Sequence, residues 1–375
     1  VGGSELLTLK RDEEELAIRP EMTPSVTRMV SRIYDNTPKP IRFFSIANFY
    51  RFQKPQKGRN REFWQLNCDI FGAESIDAEV EIITMAIEIL KAFGATSEQF
   101  IVYLNDRKVI EAVVKKALKV PEDKVKVATR ILDKFEKISR EELKERLEKE
   151  AGALIEDYDN FYGFFSRDAK AIDQFTSKYL QEEKGMQRLK ELSNILKSLG
   201  YGDYIVFNPS MVRGFDYYDG IIFEVFDKRA SFAASGVKTK EGVVRSLFGG
   251  GRYNGLASIF GQQSFPAIGF APGDETTKLF LESYNLIPKN LKGESYFIPL
   301  LSATLRQNVN TLALKLRAEG KTVITGLEAM PLGKALSLAD KLNANYAVIL
   351  GEDEVKNGTY LLKDMATGNQ ESLKI

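Results

Sequence analysis

The 375-residue chain reads as an α+β block, broken by a helical insertion and followed by a small α/β domain. Three observations predict this. Arg61 to Phe71 alternates with the period of a strand. From about Asp106 to Glu183 the sequence is charge-dense and helically spaced, with no convincing strand signal. Beyond Asn290-Leu291-Lys292-Gly293, strand-like and helix-like runs alternate. The expected boundaries are 1–105 and 184–290 for the two parts of the block, 106–183 for the insertion and 291–375 for the last domain.

Near the N-terminus, Arg19-Pro20-Glu21-Met22-Thr23-Pro24 separates an apolar strand-like segment from a helical run at Ser25–Val30. Thr23 is placed to cap that helix and Pro24 to open it. Capping leaves Glu21 unexplained, and its carboxylate suits an ammonium group. Arg51 to Arg61 holds five positive charges, no acidic residue and a Pro/Gly turn, which fits either a phosphate-gripping hairpin or a solvated tip. In the strand that follows, Arg61, Phe63, Gln65, Asn67 and Asp69 share a face expected to present polar chemistry. Trp64, Leu66, Cys68 and Ile70 share the face expected to pack. Ala78–Phe93 carries Ile82, Met85, Ile89 and Phe93 at helical spacing between Asp77 and Gly94.

After the insertion, Tyr204–Phe207 and Ile221–Phe226 resume the sheet. Arg213-Gly214-Phe215-Asp216-Tyr217-Tyr218-Asp219-Gly220 sets a guanidinium, carboxylates and two phenols at a strand mouth. They meet at one site only if the chain bends at Gly214, and the tyrosines fit aromatic core equally well. Gly249-Gly250-Gly251-Arg252-Tyr253 suits close approach to a ligand or a flexible turn. Pro266 to Asp274 places small residues ahead of helix-like Thr276–Leu281, consistent with a ligand at a helix N-terminus or with tight helix–strand packing. In the last domain, strand Phe297–Leu301, helix Leu305–Glu319, strand Thr322–Thr325, helix Leu332–Leu342 and strand Tyr346–Leu350 predict a largely parallel sheet.

A hydrophobic content of 43% allows more than one core, and no run approaches the ~20 apolar residues that span a bilayer. The first residue is not methionine and no apolar signal core follows it, so a processed or trimmed N-terminus, no membrane partner and a cytoplasmic location are expected. Cys68, the single cysteine, excludes intramolecular disulfides and cysteine metal clusters, and its strand face points to packing. The formal charge of +1 confines any nucleic-acid contact to local patches. With no histidine, imidazole is removed as base, metal ligand or neutral-pH switch.

Together, and in this order and spacing, these motifs resemble the histidyl-tRNA synthetase family of class II aminoacyl-tRNA synthetases over nearly the whole chain. Arg19 to Pro24 is similar to the family's amino-acid-binding loop, and Phe49-Tyr50-Arg51 with Arg61 to Gln65 to its motif 2. Arg213 to Gly220 resembles its histidine signature, Gly249 to Tyr253 and Pro266 to Gly273 its next loops, and Ala335 to Leu342 with Tyr346 to Val355 its anticodon-binding domain. The resemblance implies an α+β catalytic domain on a mostly antiparallel sheet, with the helical insertion and a C-terminal α/β anticodon-binding domain. It implies a histidine–tRNA ligase using ATP, with Mg²⁺ brought by the nucleotide and no protein-built metal site, and with histidine and its tRNA as partners. A homodimer follows from kinship, although the dimer-forming motif 1 is expected ahead of residue 1.

Carried over residue by residue, the resemblance assigns Glu21 and Thr23 to the histidine ammonium, Gln65 to the bound amino acid, and Asp69 and Tyr218 to the imidazole, with Tyr217 alongside. It assigns Arg51 to the ATP α-phosphate, Arg59 and Arg61 to the nucleotide, and Arg213 to the α-phosphate and the substrate carboxylate. Arg51 and Arg213 are the catalytic pair. A planar guanidinium fork suits these oxyanions. Two departures stand out: Gln53 replaces the usual acidic residue of motif 2, which implies altered adenine recognition, and Thr276 replaces a common motif 3 arginine, for which Lys278 or Mg²⁺ would substitute. The alternatives are a non-catalytic relative that binds histidine, such as the regulatory subunit of ATP phosphoribosyltransferase, or an uncharged-tRNA sensor.

Overall fold

The computed structural model describes residues 5–212, 217–231, 246–288 and 293–375. The chain forms two compact units that divide between Ile287 and Pro288. The first opens with an antiparallel hairpin, β1 (Leu7–Arg11) and β2 (Glu14–Ile18), then helix α1 (Thr23–Ile33). Two ten-residue strands follow, β3 (Ile41–Tyr50) and β4 (Glu62–Phe71), paired antiparallel along their whole length from Ile41↔Phe71 to Tyr50↔Glu62. Helix α2 (Asp77–Ala92) leads to β5 (Phe100–Asp106). Then come α3 (Arg107–Ala112), α4 (Val125–Leu132), α5 (Arg140–Lys149), α6 (Tyr158–Phe165), α7 (Ala169–Phe175) and α8 (Lys184–Ser198), before β6 (Ile205–Phe207) and β7 (Ile221–Asp227). The unit closes with α9 (Lys228–Ser231), β8 (Phe248–Arg252), β9 (Ala267–Phe270) and α10 (Asp274–Ser283).

The strands assemble as β3-β4-β9-β8-β7-β5-β6, and every pairing is antiparallel except the β5–β6 edge. Helix α2 covers this sheet because Ile82, Ile83, Ala86, Ile87 and Leu90 fall on one stripe and are fully buried. The helical stretch shares this core rather than making its own: Val113, Ile131, Leu147, Phe161 and Phe175 belong to the same apolar cluster as Ile82 and Phe223. The expected Thr23 cap is not made. Thr23 is itself the first helical residue, Met22 holds the capping position without a side-chain bond, and the Thr23 hydroxyl bonds Tyr217 instead. Trp64, expected to pack, is 52% exposed; the buried part of its face begins further along β4, at Cys68 and Ile70.

The glycine cluster is neither turn nor loop but the interior of β8. Gly250 pairs with Phe223 on one side and Phe270 on the other. A Cβ at Gly250 would sit 2.3 Å from the Gly269 carbonyl oxygen and 2.6 Å from the Phe270 Cβ. Only glycine permits that approach.

The second unit contains β10 (Ser295–Leu300), α11 (Arg306–Ala318), β11 (Thr322–Ala329), α12 (Leu332–Lys341), β12 (Tyr346–Ile349), α13 (Glu352–Asn357), β13 (Thr359–Asp364) and β14 (Gln370–Lys374). Alternation along β10 serves two cores. Tyr296 and Ile298 join Val309, Leu312 and Leu316 of α11, whereas Phe297 joins Ala339 of α12. The expected largely parallel sheet is mixed: β11-β10-β12 is parallel, but β13 and β14 add an antiparallel hairpin. Half-polar edge strands around the Gly368 turn gave that hairpin little apolar signal.

Gly250→Ala should lower stability by about 1–3 kcal/mol, read as a reduced urea midpoint with unchanged slope. A variant as stable as the parent would show that β7, β8 and β9 do not approach this closely.

Candidate active site

Strand β4 delivers Asp69 to the centre of the sheet, opposite Gly269 of β9. A Cβ at Gly269 would lie 2.2 Å from Asp69 Oδ1, so the carboxylate occupies the volume that any other residue would fill. Asp69 is 5% exposed, and the Tyr253 hydroxyl donates to its Oδ1. Desolvation pushes the carboxyl up to about 7, with the Tyr253 bond pulling the other way. The same burial, with Asp69 as neighbour, raises the Tyr253 phenol well above its ordinary range, so it stays a donor.

Three tyrosine rings line the approach. Tyr217 and Tyr218 lie 5.0 Å apart between ring centroids, and Tyr253 is 5.9 Å from Tyr217 and 6.4 Å from Tyr218. At the far end the Tyr217 hydroxyl donates to Glu21 Oε2 at 3.0 Å. Tyr218 is partly buried, and its phenol is raised chiefly by desolvation, then by the charges of Glu21, Asp69 and Glu224. Five sequence candidates, Glu21, Thr23, Asp69, Tyr217 and Tyr218, therefore belong to one linked cluster, with Glu21 bonded to Tyr217 and Asp69 to Tyr253.

Arg51 adjoins the Glu21 end. Its Nε donates to the Pro20 carbonyl at 2.9 Å, its guanidinium lies 5.0 Å from the centre of the Phe63 ring, and burial lowers its pKa against the pull of Glu21. Arg19 ties the same loop to β3 through Asn48. Arg59 is exposed at the hairpin tip, beyond a left-handed Gly58 that sits against Thr276 and Leu279 of α10. Arg61 donates to the Gln53 carbonyl and covers the Phe52 ring, while the Gln53 amide donates to the Asn60 carbonyl, so Gln53 serves the hairpin itself. Gln65 donates to the Ala271 carbonyl at 3.2 Å, holding the loop ahead of α10. Thr276 turns inward to the Leu247 carbonyl, and Lys278 is paired with Glu282 along the helix. Arg213 and Asp216 lie outside the described residues.

Tyr253, bonded to Asp69, is the candidate site residue that sequence reasoning missed. Its one signal was position, immediately after three glycines and an arginine. Cys68, next to Asp69, is buried with its thiol raised to about 11, which makes it packing rather than chemistry. Among the described residues, no three His, Cys, Asp or Glu side chains gather to hold a metal, and no helix is long and apolar enough to cross a membrane.

Because Asp69 titrates near 3.8 when exposed and near 7 in the fold, folding retains a proton between those values. Its favourable contribution is present below about pH 4 and lost as the pH rises through about 7. Asp69→Asn should therefore gain in melting temperature over the parent on going from pH 5 to pH 8. An equal difference at the two pH values would mean that the carboxylate is not desolvated.

Comparison with known proteins identifies the family. The model of the histidyl-tRNA synthetase family matches residues 5–274, and that of the anticodon-binding domain matches residues 294–375. A histidine–tRNA ligase of Leptospira biflexa is 38% identical over 96% of this chain and 80% of its own length. That of Opitutus terrae is 34% identical over 94% and 78%. Among solved structures, histidyl-tRNA synthetase from Nostoc superposes with a TM-score of 0.79 at 23% identity, covering 98% of this chain and 84% of the other. A Bacillus halodurans protein described as an ATP phosphoribosyltransferase regulatory subunit/histidyl-tRNA synthetase gives 0.71 at 22%, covering 93% and 84%. The fold is that of class II synthetases, with an anticodon-binding domain at the C-terminus. On sequence match and fold together, the chain belongs to the histidyl-tRNA synthetase family.

Proposed function

We propose that the chain is a histidine–tRNA ligase that activates histidine with ATP and passes it to the 3′ end of its tRNA. The observation that carries this reading is a pocket with a buried carboxylate at each end, Glu21 and Asp69, joined by tyrosines and flanked by Arg51. Histidine has two matching nitrogen-bearing ends. Its ammonium pairs with Glu21 beside Thr23, and an imidazole N–H donates to Asp69 while Tyr218 faces the ring. A buried acceptor left unpaired costs enough for an amino acid lacking that ring nitrogen to be rejected by roughly 10⁴-fold or more.

The histidine carboxylate is ionised near neutral pH and attacks the α-phosphorus in line, releasing pyrophosphate; no base is needed. Arg51 and Arg213 align the reacting carboxylate and phosphate, and Arg59 at the hairpin tip holds the outer phosphates with Arg61 beside it. Mg²⁺ fits this cationic surface only as an ion carried on the nucleotide's phosphates, whose charge it neutralises when bound. In transfer, the terminal ribose hydroxyl attacks the adenylate carbonyl, breaking the acyl–phosphate bond and releasing AMP, with a phosphate oxygen of the substrate as proton acceptor. The C-terminal unit supplies the tRNA contact. A regulator or sensor needs the amino-acid pocket but no phosphate grip, so Arg51 beside Glu21 favours activation.

ATP–pyrophosphate exchange tested with each amino acid should respond to histidine alone, and Asp69→Ala should raise the histidine KM far more than the ATP KM. Exchange with another amino acid, or equal changes in both constants, would contradict the assignment.

A homodimer is supported by the free edge of the sheet. Among the described residues strand β3 pairs with β4 alone, and it exposes Phe44 at 75% and Ile46 at 64%, an apolar surface that a second copy would cover. Phe44→Glu combined with Ile46→Glu should convert a sedimenting dimer into a monomer. A parent chain that is monomeric at micromolar concentration would remove this part of the proposal.

A further inference from the structure

We infer that Arg252 and Glu79 form a positioning pair that sets histidine affinity from the reverse face of the sheet, an inference that rests on the ligase reading above. Glu79 of α2 is fully buried and receives a two-pronged contact from Arg252, Nε to Oε1 at 2.8 Å and Nη2 to Oε2 at 2.6 Å. The remaining Arg252 nitrogen donates to the Ala73 carbonyl at 3.0 Å. A fork held at both prongs fixes the orientation of the backbone that carries it, which a single-point ammonium cannot do.

That backbone carries the imidazole end of the pocket. Successive residues of a strand point to opposite faces. Arg252 therefore points toward α2 and α8, while Tyr253 points to Asp69 and packs with Phe71 and Val26. The Tyr253 amide continues the ladder to Ala267 at 2.8 Å. The Arg252 carbonyl accepts from the Asp219 amide at 2.9 Å, and the Asp219 carboxylate accepts from the amides of Asn254 and Gly255. Gly220 leaves room for the Arg252 stem, since a Cβ there would lie 3.3 Å from its Cβ and Cδ. Tyr217 and Tyr218 directly precede this braced segment. One side chain thus anchors both chain segments that present tyrosines to the pocket. Arg51 and the phosphate hairpin have no share in these bonds.

Arg188 of α8 also reaches Glu79 Oε1, at 2.8 Å through Nη2, but its other partner is the Glu74 carbonyl, and among the described residues it bonds none of the tyrosine-bearing segments, so it provides the control. A polar cavity of about 200 Å³ lined by Asp106, Lys108, Arg188 and Arg252 can admit water, so a shortened side chain at 252 need not collapse the core.

The test is pyrophosphate exchange and thermal melting of the full chain with Arg252→Lys, Glu79→Gln and Arg188→Gln. Arg252→Lys and Glu79→Gln should each raise the histidine KM by roughly tenfold or more, with the ATP KM within about twofold of the parent. Arg188→Gln should lower the melting temperature while leaving the histidine KM unchanged. The inference is overturned if both constants rise together, if melting falls with the histidine KM unmoved in the first two variants, or if Arg188→Gln shifts the histidine KM as much as they do. It is overturned as well if neither of the first two variants folds, since the pair would then be structural. Absence of histidine-dependent exchange in the parent chain would instead sink the ligase reading.

Discussion

A carboxylate held in a nearly dry place is the constraint on which the site depends. Asp69 has the Tyr253 phenol as its donor among the described residues, and burial lifts it to about 7. Burying a carboxylate with so little compensation costs free energy, and the fold meets that cost in advance of any ligand. Gly269 gives the carboxylate its room, the glycines of β8 let three strands approach, and the rings of Tyr217, Tyr218 and Tyr253 pack beside it. A ligand that brings an N–H to Asp69 recovers what folding gave up, so the proposed selectivity and the raised carboxyl pKa have one cause.

The two ends of the pocket are built by different means. Glu21 sits on a loop stitched to β3 and to the basic hairpin through Arg19, Arg51 and the Pro20 carbonyl, so in the proposed ligase one connected piece would serve both the amino group and the phosphates. The Asp69 end, proposed to take the imidazole, rests on β4, β8 and β9, with the Arg252–Glu79 pair behind it. Activation needs no imidazole base, which fits a chain that has no histidine of its own.

Much of this was legible beforehand where a local rule applied. The period of two that placed Asp69 and Gln65 on one face of β4 and the helical spacing of α2 are local patterns, and both elements appear within a residue or two of expectation. Of the expected α2 stripe Ile82, Met85, Ile89 and Phe93, however, only Ile82 lies on the fully buried face, and Phe93 is exposed. The β8 glycines were unreadable as strand because residues without side chains cannot alternate. Arg252 and Glu79 are 173 residues apart, and nothing in either neighbourhood names the other. Thr23 looked like a cap since caps are chosen by residue type. Here a tertiary partner, Tyr217, took the hydroxyl instead. The hairpin β13–β14 was hidden by its polar outer residues.

The most direct measurement is a crystal structure with L-histidine bound. The account predicts the α-ammonium within about 3.2 Å of the Glu21 carboxylate and an imidazole nitrogen at the same range from Asp69. An imidazole lodged elsewhere, with Asp69 still bonded to Tyr253 alone, would contradict it.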